Sequence, residues 1–243
     1  MKVYDYLMGR RAKAHLHMTL IDPDRQSPSD AAMVAREAAR AGTDAFMVGG
    51  STGVTASEVD ATVQAIKATG DVPVILFPSS ASGLSSHADA VYFMTLLNSR
   101  DPRLIVGEQA RAAKTIRSWG LETISMAYLI VEPGMRAGEI GRAEPIPRDV
   151  PEAAVEYALV AEMFGLQLVY LEAGSGAPEP VPPEMVRQVR AAVKIPVIVG
   201  GGIRTATAAV ELARAGADII VTGTVVERER DALREIVQAV KAA

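Results

Sequence analysis

The sequence predicts an α/β fold: a modified TIM, or (β/α)8, barrel that lacks a regular third outer helix, in one domain over residues 1–243. Three observations carry this. Eight short apolar runs rich in β-branched residues recur along the chain. Alanine-rich stretches separate most of them, and each run-plus-stretch takes about 30 residues, the size of a βα unit. One separator, 78–89, is serine-rich and has no helical spacing. Runs apolar on both faces suit parallel strands that are covered on both sides. An open doubly wound sheet is the alternative way to arrange the same units.

The elements follow in order. The first run is 17–21, and a helix over 29–40 starts at Ser29 and Asp30, both N-cap types, and stops at Gly42. The second run, 45–48, leads to a helix over 57–68 that ends before Gly70. The third run, 74–77, leads into the serine-rich stretch, where Pro78 and Gly83 argue against a helix. The fourth, 90–97, precedes a helix that ends near Trp119, and the fifth is 123–131. The proline- and glycine-rich segment 132–151 reads as a long loop over the C-terminal mouth. A helix over 153–164 ends at Gly165, the sixth run is 168–171, and Pro183 opens a helix to about Val193. The seventh run, 196–199, is followed by a helix over 205–215, and the eighth, 219–221, by a last helix from Glu227. Two segments echo each other: Ala41-Gly-Thr-Asp-Ala-Phe and Ala215-Gly-Ala-Asp-Ile-Ile. Such echoes suit a repeated strand–helix unit.

Composition excludes several classes. Acidic residues outnumber basic ones, 29 to 25, for a net charge of −4, which argues against a nucleic-acid partner. There is no cysteine, so disulfide scaffolds, thiolate metal sites and a cysteine nucleophile are ruled out. The opening Met1-Lys-Val-Tyr-Asp-Tyr has no apolar core of a signal peptide, and no apolar run approaches the roughly 20 residues a membrane helix needs. A soluble, cytoplasmic protein is expected, with peripheral membrane contact left open.

In a barrel the site forms where strands end and βα loops begin. Val199-Gly-Gly-Gly-Ile-Arg ends the seventh strand and Thr222-Gly-Thr the eighth. Loops at these two places form the standard phosphate site of the fold, so Gly201, Gly202, Gly223 and Thr224 are candidate donors. Tyr170-Leu171-Glu172-Ala173-Gly174-Ser175-Gly176 ends the sixth strand. Tyr170 and Glu172 lie two apart, hence on one face, where Glu172 is placed to bind substrate hydroxyls and accept a proton. The other reading of Glu172 is a buried partner of an arginine. Asp22, at the end of the first strand beside Pro23, suits Mg²⁺, which takes few protein ligands, or is a turn aspartate. Ser51 offers a weak oxygen ligand or a second phosphate contact, or is a loop serine. Met94, Leu96 and Leu97 adjoin the missing helix and are candidates to line a groove. His15, His17 and His87 have no metal spacing and read as structural or exposed.

These segments, with His17-Met-Thr-Leu-Ile-Asp-Pro-Asp, Phe93-Met-Thr-Leu-Leu-Asn-Ser and Tyr128-Leu-Ile-Val-Glu-Pro-Gly, resemble the geranylgeranylglyceryl phosphate synthase family. That family includes bacterial relatives that make heptaprenylglyceryl phosphate. The resemblance implies a TIM barrel without its third helix. It also implies transfer of a prenyl group from geranylgeranyl diphosphate to the C3 hydroxyl of sn-glycerol 1-phosphate, in archaeal ether-lipid synthesis. On this reading Asp22 and Ser51 match magnesium positions, and Tyr170–Gly176, Gly201–Gly202 and Gly223–Thr224 match the glycerol phosphate site, with Glu172 on the glycerol hydroxyls. The chain departs from many members at Leu20, where they carry lysine, at Ser51, where they carry threonine, and at Thr224, where they carry asparagine or serine. Its Leu-Leu-Asn-Ser segment is closer to the second archaeal group, which implies a homo-oligomer, often a hexamer. The rival readings are a longer-chain synthase, another phosphate-binding barrel such as an isomerase or lyase, and a non-catalytic binding barrel. Tyr92 and Phe93 are the candidates to limit the prenyl chain.

Overall fold

The computed structural model describes residues 1–50, 54–223 and 230–243. Eight parallel strands close into a barrel in sequence order: β1 Leu16–Ile21, β2 Ala45–Gly50, β3 Val74–Pro78, β4 Ala90–Leu96, β5 Glu122–Ile130, β6 Leu168–Glu172, β7 Val197–Gly200 and β8 Ile219–Thr222. Every expected run is a strand, with ends within two residues of those read from the sequence. β1 closes the ring against β8, where His17 pairs with Ile220 and Thr19 with Thr222. The helices described are α1 Val3–Arg11, α2 Pro28–Ala41, α3 Ala56–Lys67, α4 Glu108–Trp119, α5 Met135–Ile140, α6 Pro151–Met163, α7 Pro183–Ala192, α8 Ala206–Ala215 and α9 Arg230–Ala242.

Cap chemistry sets the helix bounds. The N-cap of α2 is Ser27 rather than Ser29 or Asp30: its hydroxyl accepts the Asp30 N–H at 3.2 Å. Pro28 then takes the first helical position, where its fixed φ and missing N–H cost nothing. Thr55 and Glu58 form a reciprocal capping box at α3, with the Glu58 carboxylate 2.8 Å from the Thr55 N–H. Between β3 and β4 the chain runs as turns and bends with no helix. Across that gap the Glu108 carboxylate of α4 accepts the Ala81 N–H at 2.9 Å.

Two α-helices escaped the sequence reading, as did a π-helical turn over Arg103–Gly107. The segment 132–151 is not all loop, since Met135–Ile140 forms a short helix on it. The N-terminal helix α1 closes the bottom of the barrel: Val3 and Leu7, one turn apart, join Leu16 and Met18 in the inner core. The Glu122 carboxylate caps it, accepting the Val3 and Tyr4 N–H groups at 2.6 and 3.0 Å.

The sequence echo has a structural counterpart. Asp44, before β2, accepts the His17 N–H of β1 at 2.8 Å; Asp218, before β8, accepts the Val197 N–H of β7, also at 2.8 Å. Asp89, before β4, does the same for Val74, and Gln167, before β6, for Ser125, each at 2.9 Å. Each even-numbered strand is thus pinned to the strand before it by one side chain. Arg10 and Lys241 converge on Asp44, and Arg11 and Arg190 on Asp218, so α1, α7 and α9 are tied to the same points.

Alternation along the strands divides the core. Met18, Met47, Ile75, Tyr92, Met126, Tyr170 and Ile198 fill the barrel, while Phe46, Val48, Leu76, Val169, Leu171 and Val199 face the helices. Among the described residues no helix is long and apolar enough to cross a membrane.

Candidate active site

Inward-facing positions near the strand ends converge on one cavity of about 540 Å³. Its polar end is lined by Asp22 after β1, Glu172 on β6, Ser175 and Gly176 beyond it, Gly201 and Gly202 after β7, and Thr222 and Gly223 at β8. Tyr170 and Glu172 both point into it, as period-two alternation requires. Leu171 and Ala173 do not: the same alternation sends their side chains into the outer core. Gly174 lies behind the cradle, where a Cβ would come within 2.6 Å of Gly134. Ser51 and Thr224 lie outside the described residues.

Gly201 and Gly202 carry φ values of 81° and 72°, a region side-chain-bearing residues rarely enter. A Cβ on Gly201 would also fall 2.6 Å from the Gly174 nitrogen. The turn therefore needs glycine for both conformation and space. Arg204, two residues past Gly202, lines the cavity and donates to the carbonyls of Gly176 and Ala177 at 3.0 and 2.9 Å. It clasps the β6 loop to the β7 loop and brings a positive charge to the cradle. Two residues further, α8 begins, and the field of its N-terminus favours an anion.

Glu172 is buried, with only 6% of its surface exposed. Burial raises its pKa above the ordinary glutamate value, opposed by hydrogen bonds from the Gly174 N–H, at 2.7 Å, and from the Tyr170 and Tyr128 hydroxyls. The nearby charge of Asp22 raises it further. Both tyrosines are pushed well above their ordinary pKa, first by burial and then by the Glu172 charge, so they remain O–H donors. Their rings meet edge to face with centroids 5.2 Å apart, and Phe77 packs against both. These rings and Tyr92 form the floor of the site. Asp22 is 8% exposed and pairs with Arg25 at 3.6 Å.

From this polar end the cavity runs into an apolar trough. Met94 and Leu96 line it from inside the barrel; Val91 and Phe93 line it from the outer face of β4. Leu84, Ala112 and Ile116 complete it from the serine-rich segment and α4. Leu97 packs in the outer core instead. An outer-face residue such as Val91 would normally be covered by the helix after β3. Here that helix is absent and the space stays open.

Tyr128, Arg204 and the α4 wall had no assigned role in the sequence reading. Tyr128 sits two residues before the end of β5 on its inward phase, and Arg204 lies two residues past Gly202, so both carried a positional signal. The α4 wall carried none, because its neighbours depend on the missing helix.

Fold and site together define a (β/α)8-barrel enzyme whose glycine-lined polar pocket opens onto an apolar trough. The profile of the PcrB family matches residues 9–241, and the chain belongs to that family. It is 53% identical over 227 residues to the geranylgeranylglyceryl phosphate synthase of Thermococcus gammatolerans, covering 93% of this chain and 90% of that protein. The synthase of Methanothermobacter marburgensis is 50% identical over 241 residues, covering 98% of each. Among solved structures, (S)-3-O-geranylgeranylglyceryl phosphate synthase from Thermoplasma acidophilum, in complex with its substrate sn-glycerol-1-phosphate, superimposes with a TM-score of 0.97. The two chains are 47% identical and each is covered in full.

Proposed function

We propose that this chain is a prenyltransferase that joins the C3 hydroxyl of sn-glycerol 1-phosphate to geranylgeranyl diphosphate through an ether bond. One observation carries the reading: a single cavity connects the Glu172 and glycine-lined polar end to the apolar trough between β4 and α4. A substrate with one end phosphorylated and a second substrate with a long apolar tail fit its two halves. Each methylene buried in the trough contributes up to about 0.8 kcal/mol.

The chain's residues supply orientation and a proton acceptor. Gly176, Gly201, Gly202 and Gly223 surround the phosphate, with Arg204 beside it. The Glu172 carboxylate, held by Gly174, Tyr128 and Tyr170, receives the glycerol hydroxyls. The C3 oxygen attacks the first prenyl carbon, the bond from that carbon to the diphosphate oxygen breaks, diphosphate leaves, and the hydroxyl proton passes to Glu172. Fixing both reactants in one cavity removes several kcal/mol from the barrier.

Among the described residues no group of three or more acidic or histidine side chains stands ready to hold a metal. The buried Asp22 carboxylate at the mouth fits Mg²⁺ that takes most of its ligands from water and substrate oxygens. When bound, the ion would neutralise charge on the departing diphosphate. We read the protein as a single cytoplasmic domain and a homo-oligomer, which light scattering would check.

The test is direct. The protein is incubated with Mg²⁺, sn-glycerol 1-phosphate and a series of prenyl diphosphates, and products are read by mass spectrometry. A geranylgeranylglyceryl phosphate product that is lost with Glu172→Ala, and is not formed from the sn-3 enantiomer, is expected. A longer-chain product selects the heptaprenyl reading, and no product from any pair overturns prenyl transfer.

A further inference from the structure

On the outer side of the barrel, between β1 and β8, sits a buried polar group that the reaction does not use. His17 is fully buried, as are Thr19 and, nearly so, Thr43 and Thr222. The imidazole bridges two of them: Nδ1 lies 3.1 Å from the Thr43 hydroxyl and Nε2 2.9 Å from the Thr222 hydroxyl. Either neutral tautomer satisfies both ring nitrogens, because each faces a hydroxyl that can donate or accept. The Thr43 hydroxyl also lies 3.1 Å from the His17 carbonyl and 3.4 Å from that of Ala45, and it accepts a proton from Thr19 at 3.1 Å. In either tautomer the ring joins β1 to Thr222 by one hydrogen bond. The histidine backbone is locked as well, since its N–H donates to Asp44 and its carbonyl accepts the Asp44 N–H at 2.8 Å.

Thr222 is the last residue of β8, and Gly223 follows it into the cavity. Its outer side is held by His17 while its inner side borders the anion cradle. An unclamped strand end would let the cradle drift, and orientation is what the site contributes to rate.

We propose that His17 is a positioning residue for the anion cradle, holding the end of β8, and with it Gly223, against the phosphate through its hydrogen bond with Thr222. The proposal rests on the reading of Gly223 as part of a glycerol phosphate site.

The experiment compares Thr222→Val, which keeps the side-chain shape and loses the hydroxyl, with Thr222→Ser, which keeps the hydroxyl. Calorimetry measures sn-glycerol 1-phosphate binding, and steady-state kinetics gives KM for each substrate. Loss of one buried hydrogen bond predicts a roughly five- to tenfold weaker glycerol phosphate Kd and KM in Thr222→Val. The prenyl diphosphate KM stays within about twofold, since its trough lies across the barrel mouth. Thr222→Ser restores binding, and His17→Phe reproduces Thr222→Val with no added loss in the double variant. Should His17→Phe fail to fold, the Val and Ser pair decides alone. Wild-type affinity retained in Thr222→Val, or equal rises in both KM values, overturns the role of His17 and leaves the cradle standing. Absence of glycerol phosphate binding to the wild-type protein overturns the cradle reading and this proposal with it.

Discussion

The hydroxyl of Tyr170 occupies the place that a side chain on Gly200 would take. A Cβ built on Gly200 would overlap that oxygen and come within 2.9 Å of the ring. The bare backbone of β7 lets the Tyr170 hydroxyl reach Glu172 on its own strand. Gly200→Ala should force the ring aside, costing about 1–3 kcal/mol of stability as an overpacked core position. Activity should fall with it, and Tyr170→Phe in the same chain should recover part of the stability. Urea denaturation of the three variants checks this; a fully stable Gly200→Ala would show that the close packing is not required.

The pH profile should report on Glu172. In the proposed role of proton acceptor it works only as the carboxylate, and burial holds its pKa above the ordinary value. The acidic limb of kcat/KM should therefore lie above the usual carboxylate range. Tyr128→Phe removes a hydrogen bond that favours the charged form, so the limb should move to still higher pH. A limb that stays put or moves down would contradict the donor role of Tyr128.

A second titration concerns stability. Burial, then the Lys241 charge, hold the His17 pKa down at about 3, against 6.5 for an ordinary histidine. Between these values the unfolded chain binds one proton that the folded chain does not. The stability present above pH 6.5 is thus lost as pH falls towards 3, at up to about 1.4 kcal/mol per unit. Denaturant midpoints from pH 7 to 4 should fall more steeply for the wild type than for His17→Asn. Parallel curves would rule out a buried neutral imidazole.

The trough makes a separable prediction. Ala112 faces it from α4 beside Leu84, Val91 and Ile116. Ala112→Phe should fill the space and raise KM for a 20-carbon prenyl diphosphate by roughly tenfold, as two or so methylenes lose burial. The glycerol phosphate Kd should not change. Equal effects on both substrates would place the tail elsewhere.

Much of the site was legible because strand periodicity is strict. Once Glu172 ends a strand, Tyr170 must share its face, and the glycine turns after β7 and β8 follow from chain order alone. The same alternation turns the Leu171 and Ala173 side chains into the outer core, because neighbours on a strand face opposite ways. Tyr92 and Phe93 divide in the same way, Tyr92 in the barrel floor and Phe93 in the trough. The helix α1 was not legible, because only Val3 and Leu7 of its nine residues are buried and its role is to plug a barrel that must first close.

By itself the sequence determined the eight strands, the helix missing after β3 and the carboxylates and glycines at the strand ends. Each of these is written in local chemistry: β-branched runs covered on both faces, cap residues, turns that admit only glycine. Tertiary structure decided what those residues do for one another. Closure of the barrel set Tyr128 beside Glu172 and His17 against Thr222, pairs 44 and 205 residues apart in the chain. It also turned a missing helix into a trough, since an uncovered strand face becomes a cavity only when α4 and the serine-rich segment wall it in. Such contacts depend on long-range distances, which no local pattern of residues encodes.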